Sequence, residues 1–342
     1  MTPQVALQRI ITHQEIPYDD MVALMRQIMR GEVSPVLMAA ILSGLRTKKE
    51  TVEEITAAAQ VMREYATQVE VGNKNYLVDT CGTGGDSAHT FNISTAAALV
   101  AAAAGTNVAK HGGRSVSSKS GSADALEALG VNLNQTPQHI ALSIQEIGVG
   151  FMFAPNYHSA MKHAAPVRRE LGVKTLFNIL GPLTNPAGAK KQVLGVFSVD
   201  LVETLAHVLQ RLGSQHVLIV HGSDGLDEIT ITGKTHIGEL KNDTIQSYTI
   251  QPEDFGFQSA PIQGIQVNDA EHAKTMLLSV LKNKSGAARD VVILNAGAAI
   301  YVAGVVDNLA AGITTAQKTI ESGAALKKLH ELVVLSQKNA AQ

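Results

Sequence analysis

The spacing of apolar residues changes once along the chain, near residue 76, and that change rules out one uniform architecture. Before it, apolar side chains recur every three or four residues: Leu7, Ile10 and Ile11, then Met21, Leu24, Met25 and Ile28. That spacing places them on one face of a helix and predicts a bundle of short helices over residues 1 to about 70. Thr2 and Ser34 each precede a proline, which tolerates the first helical position because the N–H it lacks would be unpaired there. Thr51 with Glu54 reads as a capping box. Beyond residue 76, short apolar runs at 76–78, 148–153, 193–197, 217–220 and 291–294 alternate with amphipathic or alanine-rich stretches. Alternating strands and helices predict a mostly parallel central sheet with helices on both faces. Residues 93–104 and 123–129 read as crossover helices closed by Gly105 and Gly130, since glycine readily takes a left-handed C-terminal cap.

The stretch 161–186, charged and then rich in Gly, Pro and Asn, fits no strand unit and is expected to return to the helical part. The fold class is therefore α/β, with a small all-helical domain and a larger α/β domain. The expected boundaries are 1–72 plus about 162–190 for the helical domain, and 73–161 with 191–342 for the other. No internal repeat is present.

Composition narrows the partners. The 342 residues are 45% hydrophobic, enough to bury two cores, and 28 basic against 30 acidic side chains leave a net charge of −2. Such a balance gives no overall attraction for nucleic acid or an anionic membrane, so small molecules are the expected partners. Cys81, the single cysteine, cannot form an internal disulfide, and the first residues lack a long apolar run. Both features predict a protein of the reducing cytoplasm.

Four segments carry candidate chemistry. Asp79-Thr80-Cys81-Gly82-Thr83-Gly84-Gly85-Asp86 follows a strand and precedes the helix that starts near Asn92. Glycines let a backbone approach an anion, and the N–H groups of the next helix terminus favour negative charge, with Asn92, Ser94 and Thr95 as further donors. It is neither a Walker loop nor a dinucleotide fingerprint. Lys110-His111-Gly112-Gly113-Arg114, followed by a serine-rich run to Ser122, sets cations beside flexible donors and suits a polyanion. Asp227-Glu228, in a glycine-rich turn after a strand, offers hard oxygen ligands suited to Mg²⁺. Pro166-Val167-Arg168-Arg169-Glu170-Leu171-Gly172 supplies an arginine able to grip a carboxylate bidentately. The histidines show no metal-ligand spacing, no serine sits in a nucleophile elbow, and Cys81 is expected to be small, buried and inert.

Taken in order, GTGGD, FNIST, KHGGR, SSKSGSAD, PVRRELG, FNILGPLTNPA and DGLDE closely resemble the anthranilate phosphoribosyltransferase family. The resemblance implies a helical domain hinged to an α/β domain, phosphoribosyl pyrophosphate (PRPP) bound in the cleft, and homodimers formed through the helical part. It implies transfer of the phosphoribosyl group to the amine of anthranilate, in tryptophan biosynthesis, with Mg²⁺ as cofactor. Carried onto this sequence, Gly82, Gly85, Asp86, Thr90, Asn92, Ser94, Thr95, Lys110, Ser118 and Ser122 would line the PRPP site. Ser94, Asp227 and Glu228 would engage Mg²⁺, and Lys110, Asp227 and Glu228 would carry the catalysis. Gly82, His111 and Arg168 would meet anthranilate, with 155–158 flanking its channel. Many members of the family read KHGNR, whereas this chain has Gly113 at the asparagine position.

Two rivals share this architecture. A pyrimidine nucleoside phosphorylase differs in its lysine- and serine-bearing phosphate motif, and KHGGR with DGLDE favours the transferase. A nucleic-acid-binding relative calls for a basic surface and a degraded metal motif, against the net charge of −2 and the intact Asp227-Glu228 pair.

Overall fold

The computed structural model describes residues 1–114 and 120–338, so Ser118 lies outside the described residues. The chain opens with four helices: α1 (Pro3–Ile11), α2 (Tyr18–Arg30), α3 (Pro35–Lys48) and α4 (Val52–Glu64). Their starts are the expected ones: Thr2 and Ser34 cap proline-led first turns, and Thr51 and Glu54 close the capping box of α4. Met21, Leu24, Met25 and Ile28 of α2 are all buried.

The second part holds seven strands: β1 (Leu77–Gly82), β2 (Asn107–Gly112), β3 (Val149–Phe153), β4 (Lys191–Gly195), β5 (His216–Gly222), β6 (Thr235–Lys241) and β7 (Thr244–Ile250). They form one sheet in the order β3-β2-β1-β4-β5-β6-β7. The first five are mutually parallel, whereas β6 and β7 extend the sheet antiparallel. Between β1 and β4 the order of connection reverses, and in an open parallel sheet the crevice at that reversal is where ligands bind.

The connecting helices are α5 (Ile93–Ala103), α6 (Ser122–Ala128), α7 (Pro137–Ile147), α8 (Ala154–Tyr157), α9 (Ala165–Leu171), α10 (Phe177–Leu180) and α11 (Asp200–Arg211), with α12 (Ala270–Leu281), α13 (Ala287–Ala303), α14 (Leu309–Glu321) and α15 (Ala324–Lys338) closing the chain. Gly105 and Gly130 follow their helices with φ of 98° and 91°, as expected of glycine caps. Alternation along the strands divides the core. Val108, Val193 and Leu218 face α5 and α12 to α15, while Leu194, Val217 and Ile219 face α11 and the helical bundle. Val167, Phe177, Ile179 and Leu180 of α9 and α10 lie in the same apolar cluster as α1 to α4. The segment from α8 to β4 is thus a strap whose middle is packed into the helical bundle.

One expectation fails. Residues 291–294 are not a strand but lie inside α13, every residue of which from Val291 to Ala303 is buried. A helix apolar on all sides has no period to betray it, because it is enclosed by its neighbours. Its contact with α14 depends on glycine: a Cβ on Gly312 would lie 2.2 Å from the Gly297 carbonyl oxygen. Gly312→Ala is therefore expected to force the two helices apart and destabilise the α/β part by about 1–3 kcal/mol. A lowered urea midpoint followed by circular dichroism tests this, and an unchanged midpoint would refute it.

Candidate active site

The carboxyl ends of β1 and β4 bring three of the four candidate segments together. Beyond Gly82, Gly84 and Gly85 take φ of 65° and 76°, in the left-handed region that glycine enters without strain. The loop is tied to β4 on both sides. The Thr83 N–H donates to the Gly195 carbonyl at 2.9 Å, and the Phe197 N–H donates to the Thr83 hydroxyl at 3.1 Å.

Into the gap between the strands comes the acidic turn after β5. A Cβ on Gly195 would sit 1.5 Å from the Asp227 carbonyl oxygen, and one on Gly82 would sit 2.5 Å from Asp227 Oδ2. Glycine at the end of β4 leaves room for the backbone of the turn, and glycine at the end of β1 leaves room for the Asp227 carboxylate. Asp224 shapes it by accepting from the Thr230 and Thr232 hydroxyls, each at 2.7 Å, and from the Leu226 N–H at 3.1 Å. Asn295 of α13, 2% exposed, then fixes the residue after Glu228. Its Oδ1 accepts from the Ile229 N–H at 2.9 Å, and its Nδ2 donates to the Ile229 and Val291 carbonyls at 2.8 and 2.9 Å.

So held, the acidic pair reaches the glycine loop and the start of α5. The Gly84 N–H donates to Asp227 Oδ2 at 2.8 Å, and the Ser94 N–H, in the first turn of α5, donates to Glu228 Oε1 at 3.2 Å. Lys110 on β2, 2% exposed, donates to the Ser94 hydroxyl at 3.1 Å and to the Thr80 carbonyl. Burial lowers the Lys110 pKa, opposed by Asp79, Cys81, Glu228 and Asp227. Asp79, wholly buried behind it, accepts from Asn185 Nδ2 at 2.7 Å and from the His111 N–H at 3.2 Å. The Asp227 carboxyl is raised well above the usual range by burial, then by Asp86 and Glu228. Glu228 is raised by burial and by Asp86, with Lys110 pulling the other way.

Carboxylates crowded in this way lower their energy by sharing a cation. Among the described residues no three His, Cys, Asp or Glu side chains form a complete metal cage. Two carboxylates and a hydroxyl nonetheless fit Mg²⁺, which keeps waters and takes substrate oxygens rather than requiring an all-protein shell.

The remaining candidates are placed unevenly. Asn92 and Ser120 are joined by two hydrogen bonds, from Asn92 Nδ2 to the Ser120 carbonyl at 3.1 Å and from the Ser120 hydroxyl to Asn92 Oδ1 at 3.3 Å. Ser122 lies against Gly112, Thr90 pairs with Gln266, and the buried Thr95 hydroxyl has no partner among the described residues. Arg114 is paired with Asp124 at 2.9 Å and Glu127 at 2.7 Å. Among the described residues nothing stands within 4 Å of where a Gly113 Cβ would be. Cys81 is buried, as expected, and its thiol pKa is raised by burial, leaving it an inert contact for Gln192 Nε2 at 2.9 Å.

On the strap side, His111 and His158 are buried with their Nε2 atoms 3.2 Å apart, which requires one to donate and the other to accept. Burial and the neighbouring His158 lower His111 to about 3, and burial lowers His158 to about 4. Arg168 on α9 forms no ion pair among the described residues; its guanidinium stacks over Phe177, 5.5 Å from the ring centroid. No direct contact joins it to the acidic pair. Asn295 and Lys174 escape a reading of the sequence. The first has a signal, one amide inside an apolar run, and the second has none.

Two outcomes are expected. Asn295→Leu strips both partners from the Ile229 peptide, costing about 1–3 kcal/mol for each buried group left unpaired, and should loosen the acidic turn. Thermal unfolding together with faster amide exchange at Ile229 checks it. The histidine pair must charge in acid, so its neutral form stabilises the fold above pH ~6.5 and that contribution is lost as pH falls through the lowered values near 4 and 3. His111→Gln/His158→Gln should flatten the wild-type decline in urea midpoint between pH ~6 and ~4.

Comparison with known proteins agrees with this geometry. Residues 4–66 match the helical bundle domain of the glycosyl transferase family and residues 74–326 its a/b domain. Anthranilate phosphoribosyltransferase from Nitrosospira multiformis is 66% identical over 98% of this chain and 97% of its own. The crystal structure of the Thermus thermophilus anthranilate phosphoribosyltransferase superposes with a TM-score of 0.92 at 42% identity, covering 97% of this chain and 99% of that one. The Saccharomyces cerevisiae enzyme in complex with PRPP and Mg superposes at 0.83 with 27% identity, over 94% of this chain and 92% of its own. With its acidic turn seated between two glycine-ended strands and relatives this close along the whole chain, the protein belongs to the anthranilate phosphoribosyltransferase family.

Proposed function

We infer that this chain transfers the phosphoribosyl group of PRPP to the amine of anthranilate, releasing pyrophosphate. The observation that carries the reading is the convergence of the Gly82–Asp86 loop, Ser94, Lys110 and the Asp227-Glu228 turn at the sheet's switch point. Gly82, Gly85, Asp86, Thr90, Asn92, Ser94, Thr95 and Ser122 line the PRPP side, and the family resemblance adds Ser118, which lies outside the described residues. Asp227, Glu228 and Ser94 hold Mg²⁺, which when bound neutralises charge on pyrophosphate.

In the reaction the C1′–O bond to pyrophosphate breaks, the leaving group keeping the electron pair, while the amine nitrogen forms the C1′–N bond and releases its proton to solvent. Positive character develops on the ribose and negative charge on the leaving group. Lys110, already fixed by Thr80 and Ser94, stabilises that charge without reorganising, which is how a preorganised site lowers a barrier. The amine is neutral and needs no prior deprotonation, so positioning is the second contribution. Arg168, free of acidic partners among the described residues, grips the anthranilate carboxylate, and His111 stays neutral beside it.

The same reading includes a homodimer formed through the helical part. Val5, Ile11 and Val36 of α1 and α3 are 52, 60 and 83% exposed, apolar side chains that a second copy would cover. None of the described helices is long and apolar enough to cross a membrane.

Mixing the protein with PRPP, anthranilate and Mg²⁺ should consume the fluorescence of anthranilate, and EDTA should stop it. Asp227→Asn/Glu228→Gln should lower kcat/KM by about 100-fold or more while keeping the wild-type dichroism spectrum. A folded, Mg²⁺-replete wild type that leaves anthranilate untouched would refute the assignment.

A further inference from the structure

Lys174 is a cation that neither the motifs nor the mechanism above uses. It belongs to the strap, between α9 and α10, and its neighbours fix it there. Leu176 and Phe177 are buried in the cluster of the helical bundle, and the Thr175 N–H donates to Asn178 Oδ1 at 2.8 Å. From that anchor the side chain extends to the other lobe. Its ammonium lies 3.7 Å from the centroid of Phe197, the ring just past β4. A Cβ on Gly85 would be 3.0 Å from its Cε and 3.5 Å from its Nζ, so the aliphatic stem lies against the glycine loop.

The charges that face Lys174 are Asp86 and Asp227, which favour its ammonium, and Arg46, which with burial disfavours it. Yet it forms no ion pair among the described residues. A lysine kept on an aromatic face, a short reach from two carboxylates but bonded to neither, is a charge whose strong partner comes from elsewhere. The position limits that partner. On the glycine loop, beside the acidic turn, the nearest part of PRPP in the proposed reaction is its pyrophosphate.

Resting on that reading, we propose that Lys174 binds the pyrophosphate of PRPP from the helical side of the cleft, so that substrate binding draws the strap onto the Gly82–Asp86 loop. Lys110 holds the anion from within the sheet and Lys174 from across the cleft. The two cations then flank the charge that develops on the leaving group.

Lys174→Met removes the charge and keeps the stem. It should raise KM for PRPP and the dissociation constant of Mg²⁺-pyrophosphate, measured by calorimetry, by about tenfold each, with KM for anthranilate and the melting temperature near wild type. Lys174→Arg should recover most of the pyrophosphate affinity. In the wild-type protein, pyrophosphate should slow amide exchange in residues 172–176, an effect weakened in Lys174→Met. Unchanged pyrophosphate affinity in a folded Lys174→Met, or a strap whose exchange ignores pyrophosphate, overturns the proposal. Activity in the wild type with either of those results leaves the transferase reading standing, whereas no activity in the wild type defeats that reading first.

Discussion

The Asp227 carbonyl and the Gly195 α-carbon approach so closely that a methyl group between them would sit 1.5 Å from the oxygen. No side-chain adjustment relieves a clash with backbone, so the acidic turn can enter the sheet's crevice only where a strand ends in glycine. Gly82 on the neighbouring strand, paired in register with Gly195, leaves room in turn for the Asp227 carboxylate. This paired absence of side chains turns a generic switch point into a slot for carboxylates. The rest of the site is arranged around what fills that slot.

Filling it is electrostatically costly. Burial raises Asp227 and Glu228, their mutual repulsion and the nearby Asp86 raise them further, and the protein offsets this with N–H donors from Gly84 and Ser94 and with the ammonium of Lys110. Lys110 is itself desolvated, and Asp79 behind it offsets that in turn. Asp79 is kept in place by Asn185, which also donates to the Ala109 carbonyl at 2.8 Å, so the end of the strap braces the strand that carries the lysine. A buried carboxylate, a lysine and a carboxylate pair thus form one chain of alternating charge. Stability alone would favour apolar replacements at such positions, since desolvation consumes most of the Coulombic gain. The arrangement makes sense as a site prepared to share a cation with an anionic substrate.

Much of this is legible in the sequence because the relevant signals are local. Caps at Thr2, Ser34 and Thr51 mark helix starts by hydrogen bonds within one turn, and the glycine loops announce themselves by composition. The run at 291–294 misleads because a fully enclosed helix shows neither a 3.6 nor a 2.0 period; its real signals are Gly297 and Asn295, a crossing point and a clamp. Strands β6 and β7 escape detection for a related reason. In β7 the polar Thr244, Gln246, Ser247 and Thr249 are exposed and only Ile250 is fully buried, so it has too little apolar contrast to read. Arg114 looks like a ligand of anions until its two carboxylate partners, ten and thirteen residues away, are in view. Lys174 carries no local mark at all, because its meaning comes from Phe197 and Gly85, which reach it only through the fold.

The strap gives the two lobes a common dependence. Its middle is packed with α1 to α4, while Asn185 near its end is hydrogen-bonded into the α/β part. Between those fixed points it carries Arg168 and Lys174, two cations bonded to no carboxylate among the described residues and each resting on an aromatic ring, Phe177 and Phe197. Cation–π contacts of this kind are worth only about 0.5–2 kcal/mol, so they hold a side chain in position without competing with a carboxylate or a pyrophosphate. In the proposed reaction one cation receives the acceptor and the other the leaving group. Since both ride on the same short segment, the two substrates meet at a spacing set by the strap rather than by separate loops. That is the geometric condition for bringing a weak nucleophile to C1′ as pyrophosphate departs.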